Sequence, residues 1–380
     1  MSEKAELKIL REEDLKDKVC VVLGTRPGII MFSPIIRELE NRGLNYFVIH
    51  TGQHYSYNMD QTFFEDLELP EPEYKLDTVK NCKFHGEQTA EMLKGCEGVL
   101  LKEKPKIVLV GGDANTNLAG ALAARKLHIK VAHVEAGERS NDWRMPEEQN
   151  RVIIDHISNF LFVTNEKGRE NLIEDNVKGR IFITGNPIVD ALNQNLEIAK
   201  DKSTILSDFN LEPKEYLLLT LHREENVDSE RNLTDFLKGI ELVCQEVGKK
   251  VIFLAHPRTR KRLREFDLMT RAEDIEGFEV RDAVGYPDFL KLLANTRLIF
   301  TDSGGVQQES CILKVPCVTL RENTEWTETL EIGANTLSGT NPQKILDSTK
   351  KMMNTEVKGK NPFGDGKSAS HIIDVIEKEL

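Results

Sequence analysis

The stretch FTDSGGVQQES (300–310) concentrates the most chemistry in the fewest residues. An apolar run ends at Asp302, two glycines permit close backbone approach, and a helical pattern starts at once. The first N–H groups of a helix have no internal partners and attract anions. Ser303 and the Gly304–Gly305 amides therefore suit a diphosphate. Glu309 follows about one turn into the helix, where a carboxylate accepts from both hydroxyls of a ribose. LGTRPGII (23–30) is a second strand-to-helix turn, with Gly24, Pro27 and Gly28, and it carries the cation Arg26. It reads either as a plain turn or as an anion site.

Acids stand on separate loops. VGGDANTNLAG (110–120) ends a strand at Asp113, HVEAGE (133–138) brings His133 and Glu135, and NDWRMPEEQNR (141–151) brings Glu147 and Glu148 behind Pro146. Each has a plainer reading: Asp113 as a helix N-cap, and the Glu pair as an acidic first turn. Converged on one substrate, three such acids would serve proton transfer at carbon, given environments that separate their pKa values. LTLHREENV (219–227) places His222 and Arg223 just after a strand, and AHPRTRKR (255–262) repeats this with His256 and a basic run. These read as phosphate donors or an acid, or as a structural His and a solvated basic face.

The elements that must position these residues alternate. Apolar runs at 19–24, 46–50, 106–112, 130–137, 160–165 and 180–186 are separated by helical patterns. A second series occupies 216–222, 250–256, 278–284, 297–304 and 316–322. This rhythm predicts α/β architecture: two Rossmann-like, doubly wound domains with parallel sheets and a ligand cleft between them. The boundary falls near residue 200, giving domains 1–200 and 201–380, with the last helix packing back on the first domain. The notable residues cluster where strands end, as ligand sites do in such sheets.

Composition narrows the function. With 51 Lys and Arg against 63 Asp and Glu, the net charge of −12 disfavours nucleic acid. The six cysteines form no CxxC and no metal spacing with His, which fits free thiols in a reducing compartment. No apolar run approaches the ~20 residues of a membrane span, and the charged start MSEKAELKILREEDLKDK is unlike a signal peptide. A cytoplasmic protein is expected. No GxGxxG follows the first strand, which argues against a dinucleotide; the P-loop pattern is absent too, and no His, Asp and Glu set has metal-ligand spacing.

In order, GTRPGII, HTGQHYSYNMDQ, HGEQT (85–89), VGGDANT, HVEAGERS, MPEEQNR, DHIS (155–158), ITGNPIVDA, LHREEN, HPRT, GYPDFL (285–290), TDSGGVQQES and RENTEWTET make the chain resemble the non-hydrolysing UDP-N-acetylglucosamine 2-epimerases, across about residues 18–350. The resemblance implies a fold like the B-type glycosyltransferases, with UDP mostly on the C-terminal domain. It implies reversible conversion of UDP-GlcNAc to UDP-ManNAc by loss of UDP, through a 2-acetamidoglucal, and re-addition, without cofactor or metal and in a homodimer. It places Arg26 and His222 at the phosphates, Asp113, Glu135 and Glu147 around the sugar, Phe289 near uracil, and Ser303, Gly304, Gly305 and Glu309 on phosphate and ribose. Gln53, Arg223 and His256 match a second, regulatory UDP-sugar site of some relatives.

The chain departs from the family pattern at several positions. Gly28 replaces a usual Glu, Met31 a usual Lys, Gly112 a His, Gln or Tyr, and Glu138 a Leu. Loss of the lysine implies lowered or redirected activity. TEWTE replaces TERPE, as in relatives acting on UDP-diacetamido uronic acids. Such a uronate epimerase, a weak UDP-sugar-binding paralogue, and a UDP-sugar glycosyltransferase are the alternatives. Retention of all three acids disfavours the last.

Overall fold

The computed structural model describes residues 9–53, 63–77 and 79–380. Most of HTGQHYSYNMDQ and the start of the N-terminal stretch thus lie outside the described residues. The chain divides into two compact units, one of Met1–Gln194 with Phe363–Leu380 and one of Asn195–Pro362.

The first unit is built on β1 (Lys16–Leu23), β2 (Tyr46–His50), β3 (Tyr74–Lys75), β4 (Pro105–Gly111), β5 (Lys130–Ala136), β6 (Phe160–Val163) and β7 (Arg180–Ile183). They form a seven-stranded sheet in the order β3-β2-β1-β4-β5-β6-β7. The second unit uses β8 (Tyr216–Thr220), β9 (Lys250–Ala255), β10 (Phe278–Asp282), β11 (Ile299–Thr301), β12 (Cys317–Thr319) and β13 (Asn335–Leu337), in the order β10-β9-β8-β11-β12-β13. Every pairing is parallel. The strands read as continuous apolar runs because helices cover both faces. Val22, Ile49, Val108 and Val131 share one buried cluster of the first sheet, and Leu219, Phe253, Phe300 and Val318 one of the second. This is the α/β class, with two Rossmann-like units, that the rhythm predicts.

Strand order reverses between β1 and β4 in one sheet and between β8 and β11 in the other. In open α/β sheets the crevice at such a reversal, beyond the strand C-termini, is where ligands bind. Gly24–Arg26 follows β1 and Gly112–Asp113 follows β4, while His222 follows β8 and Asp302–Gly305 follows β11. Each reversal is therefore flanked by two of the motifs.

After the second unit the chain returns to the first. The helix Ser368–Glu377 starts on Asp190, whose carboxylate accepts from the amides of Ser368 (3.2 Å) and Ala369 (3.0 Å). Arg42 pairs with Asp374 at 2.7 Å and Glu377 at 3.1 Å. No helix among the described residues is long and apolar enough to cross a membrane.

Candidate active site

Gly111 of β4 pairs with Val134 of β5, and the next residue on each strand, Gly112 and Glu135, has left-handed backbone, with φ of 75° and 64°. Glycine adopts this freely, whereas glutamate is strained by about 1–2 kcal/mol. β5 bulges between Val134 and Ala136, and a bulge re-aims a side chain. Glu135 Oε1 lies 3.7 Å from where a Gly112 Cβ would stand, and Met31 Cε lies 3.8 Å from the same point. The other oxygen accepts from Asn186 Nδ2 at 2.7 Å. Burial pushes the Glu135 carboxyl up to about 7; Asn186 opposes this, the charge of Asp113 adds to it, and Arg151 and His133 pull it back. A carboxyl titrating near neutrality can both take and return a proton.

Asp113 is ion-paired with Arg151. It is not an N-cap. Ala114 holds that position in the helix Asn115–Lys126, and Gln53 Oε1 accepts the Thr116 N–H at 2.8 Å. The two glutamates behind Pro146 differ sharply. Glu148 accepts from the Ser140 amide (2.9 Å) and hydroxyl (2.8 Å) and pairs with Arg151 at 3.0 Å, so it is committed to the loop. Glu147, in the first turn of Pro146–Ile157, makes no hydrogen bond or ion pair with a described residue. His133 is fully buried, its Nδ1 2.7 Å from Asp155 and its Nε2 3.0 Å from the Gly112 carbonyl, which anchors the peptide leading into Asp113.

Arg26 opens the helix Arg26–Asn41, capped by Thr25, whose hydroxyl accepts from the Gly28 amide at 3.2 Å. Its guanidinium lies over the Phe63 ring, 6.0 Å from the centroid, and has no ion-pair partner among the described residues.

In the second unit Asp302 is the buried hub. Its carboxylate accepts from the amides of His222 (3.1 Å) and Arg223 (2.8 Å) and from Asn226 Nδ2 (3.0 Å), and it faces His222 Nδ1 at 3.1 Å. Burial alone would raise the Asp302 carboxyl, but His222, Asn226 and the Arg223 amide outweigh it and hold the group below its ordinary value. The His222 side chain stays 41% exposed, fixed yet reachable. Ser303 is the N-cap of Gly304–Ile312, and its hydroxyl caps nothing. A side chain on Gly304 would press on the Glu325 carboxylate and the Trp326 ring, which would have to give way. Gly305 has open space around it. Glu309, 5% exposed, accepts from the Tyr286 hydroxyl at 2.8 Å. Burial pushes Glu309 up to about 7 against the pull of Tyr286. Phe289 packs at the edge of a cluster with Leu292 and Leu293.

Within the first unit the structure brings Asp113 and Glu135 together, and within the second His222, Ser303, Gly304 and Gly305. Of the residues read as regulatory, Gln53 caps a helix of the first unit; His256 caps the helix Pro257–Glu265, its Nδ1 accepting the Arg258 amide at 3.2 Å, and Arg223 faces Glu325 at 3.6 Å. Sequence reasoning missed Asn186, Arg151 and Tyr286 as partners of the acids. All three lie inside motifs quoted above, Asn186 just past β7 and Tyr286 at a helix start. Among the described residues no group of three or more His, Cys, Asp or Glu is placed to hold a metal ion.

Comparison with known proteins places nearly the whole chain among sugar-nucleotide epimerases. The family model described as UDP-N-acetylglucosamine 2-epimerase matches residues 37–377. A protein of Methanocaldococcus jannaschii named UDP-N-acetylglucosamine 2-epimerase is 51% identical over 362 residues, 94% of this chain and 98% of its own. The crystal structure of the Methanocaldococcus jannaschii UDP-GlcNAc 2-epimerase in complex with UDP-GlcNAc and UDP superposes with a TM-score of 0.86 at 50% identity, covering 95% of this chain and 99% of that one. A UDP-2,3-diacetamido-2,3-dideoxy-D-glucuronate 2-epimerase of Pseudomonas aeruginosa is 36% identical over 364 residues, 95% of this chain and 99% of its own.

Proposed function

The chain belongs to the UDP-N-acetylglucosamine 2-epimerase family, and from that premise we propose that it is an isomerase interconverting UDP-GlcNAc and UDP-ManNAc. The observation that carries the reading is Glu135: a half-buried carboxyl held near neutrality, on strained backbone, beside Asp113. C2 of the sugar has no adjacent carbonyl to acidify its hydrogen. A carboxylate takes the C2 proton while the C1–O bond breaks. The C–H electron pair becomes the C1=C2 double bond and UDP leaves with the C–O pair. Re-addition of UDP at C1 with proton delivery to the opposite face of C2 completes inversion. Two faces need two groups, which Asp113, Glu135 and Glu147 supply. C1 gains oxocarbenium character, which neighbouring carboxylates stabilise. Arg26, His222 and the Ser303–Gly305 turn stabilise the departing diphosphate, Glu309 holds the ribose, and Phe289 packs on the uracil. Gln53, Arg223 and His256 remain candidates for a second UDP-sugar.

Cys20, Cys96, Cys244, Cys311 and Cys317 are buried free thiols, which supports a reducing, cytoplasmic setting, and the family resemblance supports a homodimer. The test is incubation with UDP-GlcNAc in D2O, followed by NMR. Deuterium should enter C2 and UDP-ManNAc should appear. Wild-type protein that binds UDP but does neither overturns the reading. A diacetamido uronate as the true substrate is favoured by TEWTE (324–328) and by the Pseudomonas relative; it predicts a higher kcat/KM on the uronate than on UDP-GlcNAc.

A further inference from the structure

We propose that Tyr286 sets a preference for ribose over deoxyribose by fixing one oxygen of the Glu309 carboxyl so that the other meets the sugar. The inference rests on the assignment of Glu309 to the ribose. Tyr286 opens the helix Tyr286–Asn295, and Glu309 lies in the helix Gly304–Ile312. Their hydrogen bond, from the hydroxyl to Oε1 at 2.8 Å, ties the two helices together. Both residues are buried, at 7% and 5% exposure. Oε2 makes no hydrogen bond with a described residue.

A carboxylate offers about four lone-pair sites over its two oxygens. The torsion that turns its plane is broad and roughly two-fold. Nothing intrinsic to glutamate therefore aims Oε2; the tyrosine hydroxyl does. A vicinal diol presents two O–H donors, and a fixed acceptor plane can take both. A 2′-deoxy sugar presents one and leaves a buried acceptor unpaired, the situation that gives hydrogen-bonding sites their strongest discrimination. Tyr286 makes this selection through Glu309, as a positioning residue.

The test is calorimetric Kd for UDP and 2′-deoxy-UDP, on wild type, Tyr286→Phe and Glu309→Ala. Phenylalanine keeps the ring and loses only the hydroxyl. Wild type should prefer UDP by about tenfold or more. Tyr286→Phe should shrink that preference to about threefold or less, chiefly by weakening UDP. A merely structural tyrosine would weaken both nucleotides equally and leave the ratio intact, and that outcome overturns the inference. If Glu309→Ala abolishes the preference while Tyr286→Phe keeps it, the ribose assignment survives and the inference alone fails. If wild type shows no preference, or Glu309→Ala retains it, the ribose assignment itself is wrong and the inference falls with it.

Discussion

Met31→Lys is the perturbation whose outcome is set most directly by the geometry. Met31 is 8% exposed and packs under Gly111 and Gly112. Its Cε and Glu135 Oε1 lie 3.8 and 3.7 Å from one common point. A lysine ammonium in the methionine's place would stand within about 7.5 Å of the carboxylate, where opposite charges attract by about 2 kcal/mol or more at an effective dielectric near 20. At about 1.4 kcal/mol per pKa unit, Glu135 should fall by about two units, from about 7. In the proposed role of base Glu135 must be ionised, so activity should be lost as pH falls through its pKa. The acidic limb of kcat/KM should therefore move down by about two units in the variant. Stability responds through the same group with a definite sign. A carboxyl raised on folding stabilises fully below its ordinary value of 4.5, and this contribution is lost as pH rises to about 7. With a smaller upward shift, Met31→Lys should lose less stability than wild type between pH 5 and pH 8. The assays are initial rates across pH and thermal unfolding at several pH values. An acidic limb that stays within about half a unit of wild type would refute the electrostatic coupling between position 31 and Glu135.

Three further outcomes are expected. At least two of Asp113→Asn, Glu135→Gln and Glu147→Gln should lose about 10²–10⁴-fold in turnover while UDP affinity and thermal stability hold; all three keeping more than about a tenth of wild-type turnover, well short of that loss, sinks the acid–base assignment. Ser303→Ala should weaken UDP by about 1–3 kcal/mol in titration calorimetry, and an unchanged Kd would remove Ser303 from the diphosphate site. Activity should survive EDTA treatment and desalting without nicotinamide; loss restored by Mg²⁺ or NAD would rule out the cofactor-free route.

The strands were legible in the sequence because burial on both faces makes them continuous apolar runs, and YFVIH (46–50) is one whose limits coincide with its strand. β3, at Tyr74–Lys75, and β13, at Asn335–Leu337, are too short and too polar to announce themselves. RLIFTDSG forms ladder only over Ile299–Thr301, and beyond it the Asp302 carboxylate accepts from the His222 and Arg223 amides. At the candidate site, residue types and strand ends singled out the acids and the Ser303–Gly305 turn. What they could not show is which neighbour decides each acid's character. Glu147 and Glu148 are adjacent and chemically identical, yet one is consumed by Ser140 and Arg151 and the other has no partner among the described residues. The left-handed backbone at Glu135 has no local signal either, since nothing in HVEAGE requires it.

The return of Phe363–Leu380 to the first unit also has a bearing on biosynthesis. Ribosomes deliver the N-terminal part of that unit well before the helix Ser368–Glu377, so the Asp190 carboxylate and the Arg42 guanidinium wait without their late partners while the whole of Asn195–Pro362 emerges. The contiguous second unit has every one of its own segments in hand first and can finish folding independently. Arg42 and Asp374 are separated by 332 positions, a closure of the kind that slows folding. A nascent chain stalled before residue 368 should therefore carry a protease-resistant second unit beside a first unit that is still open to cleavage.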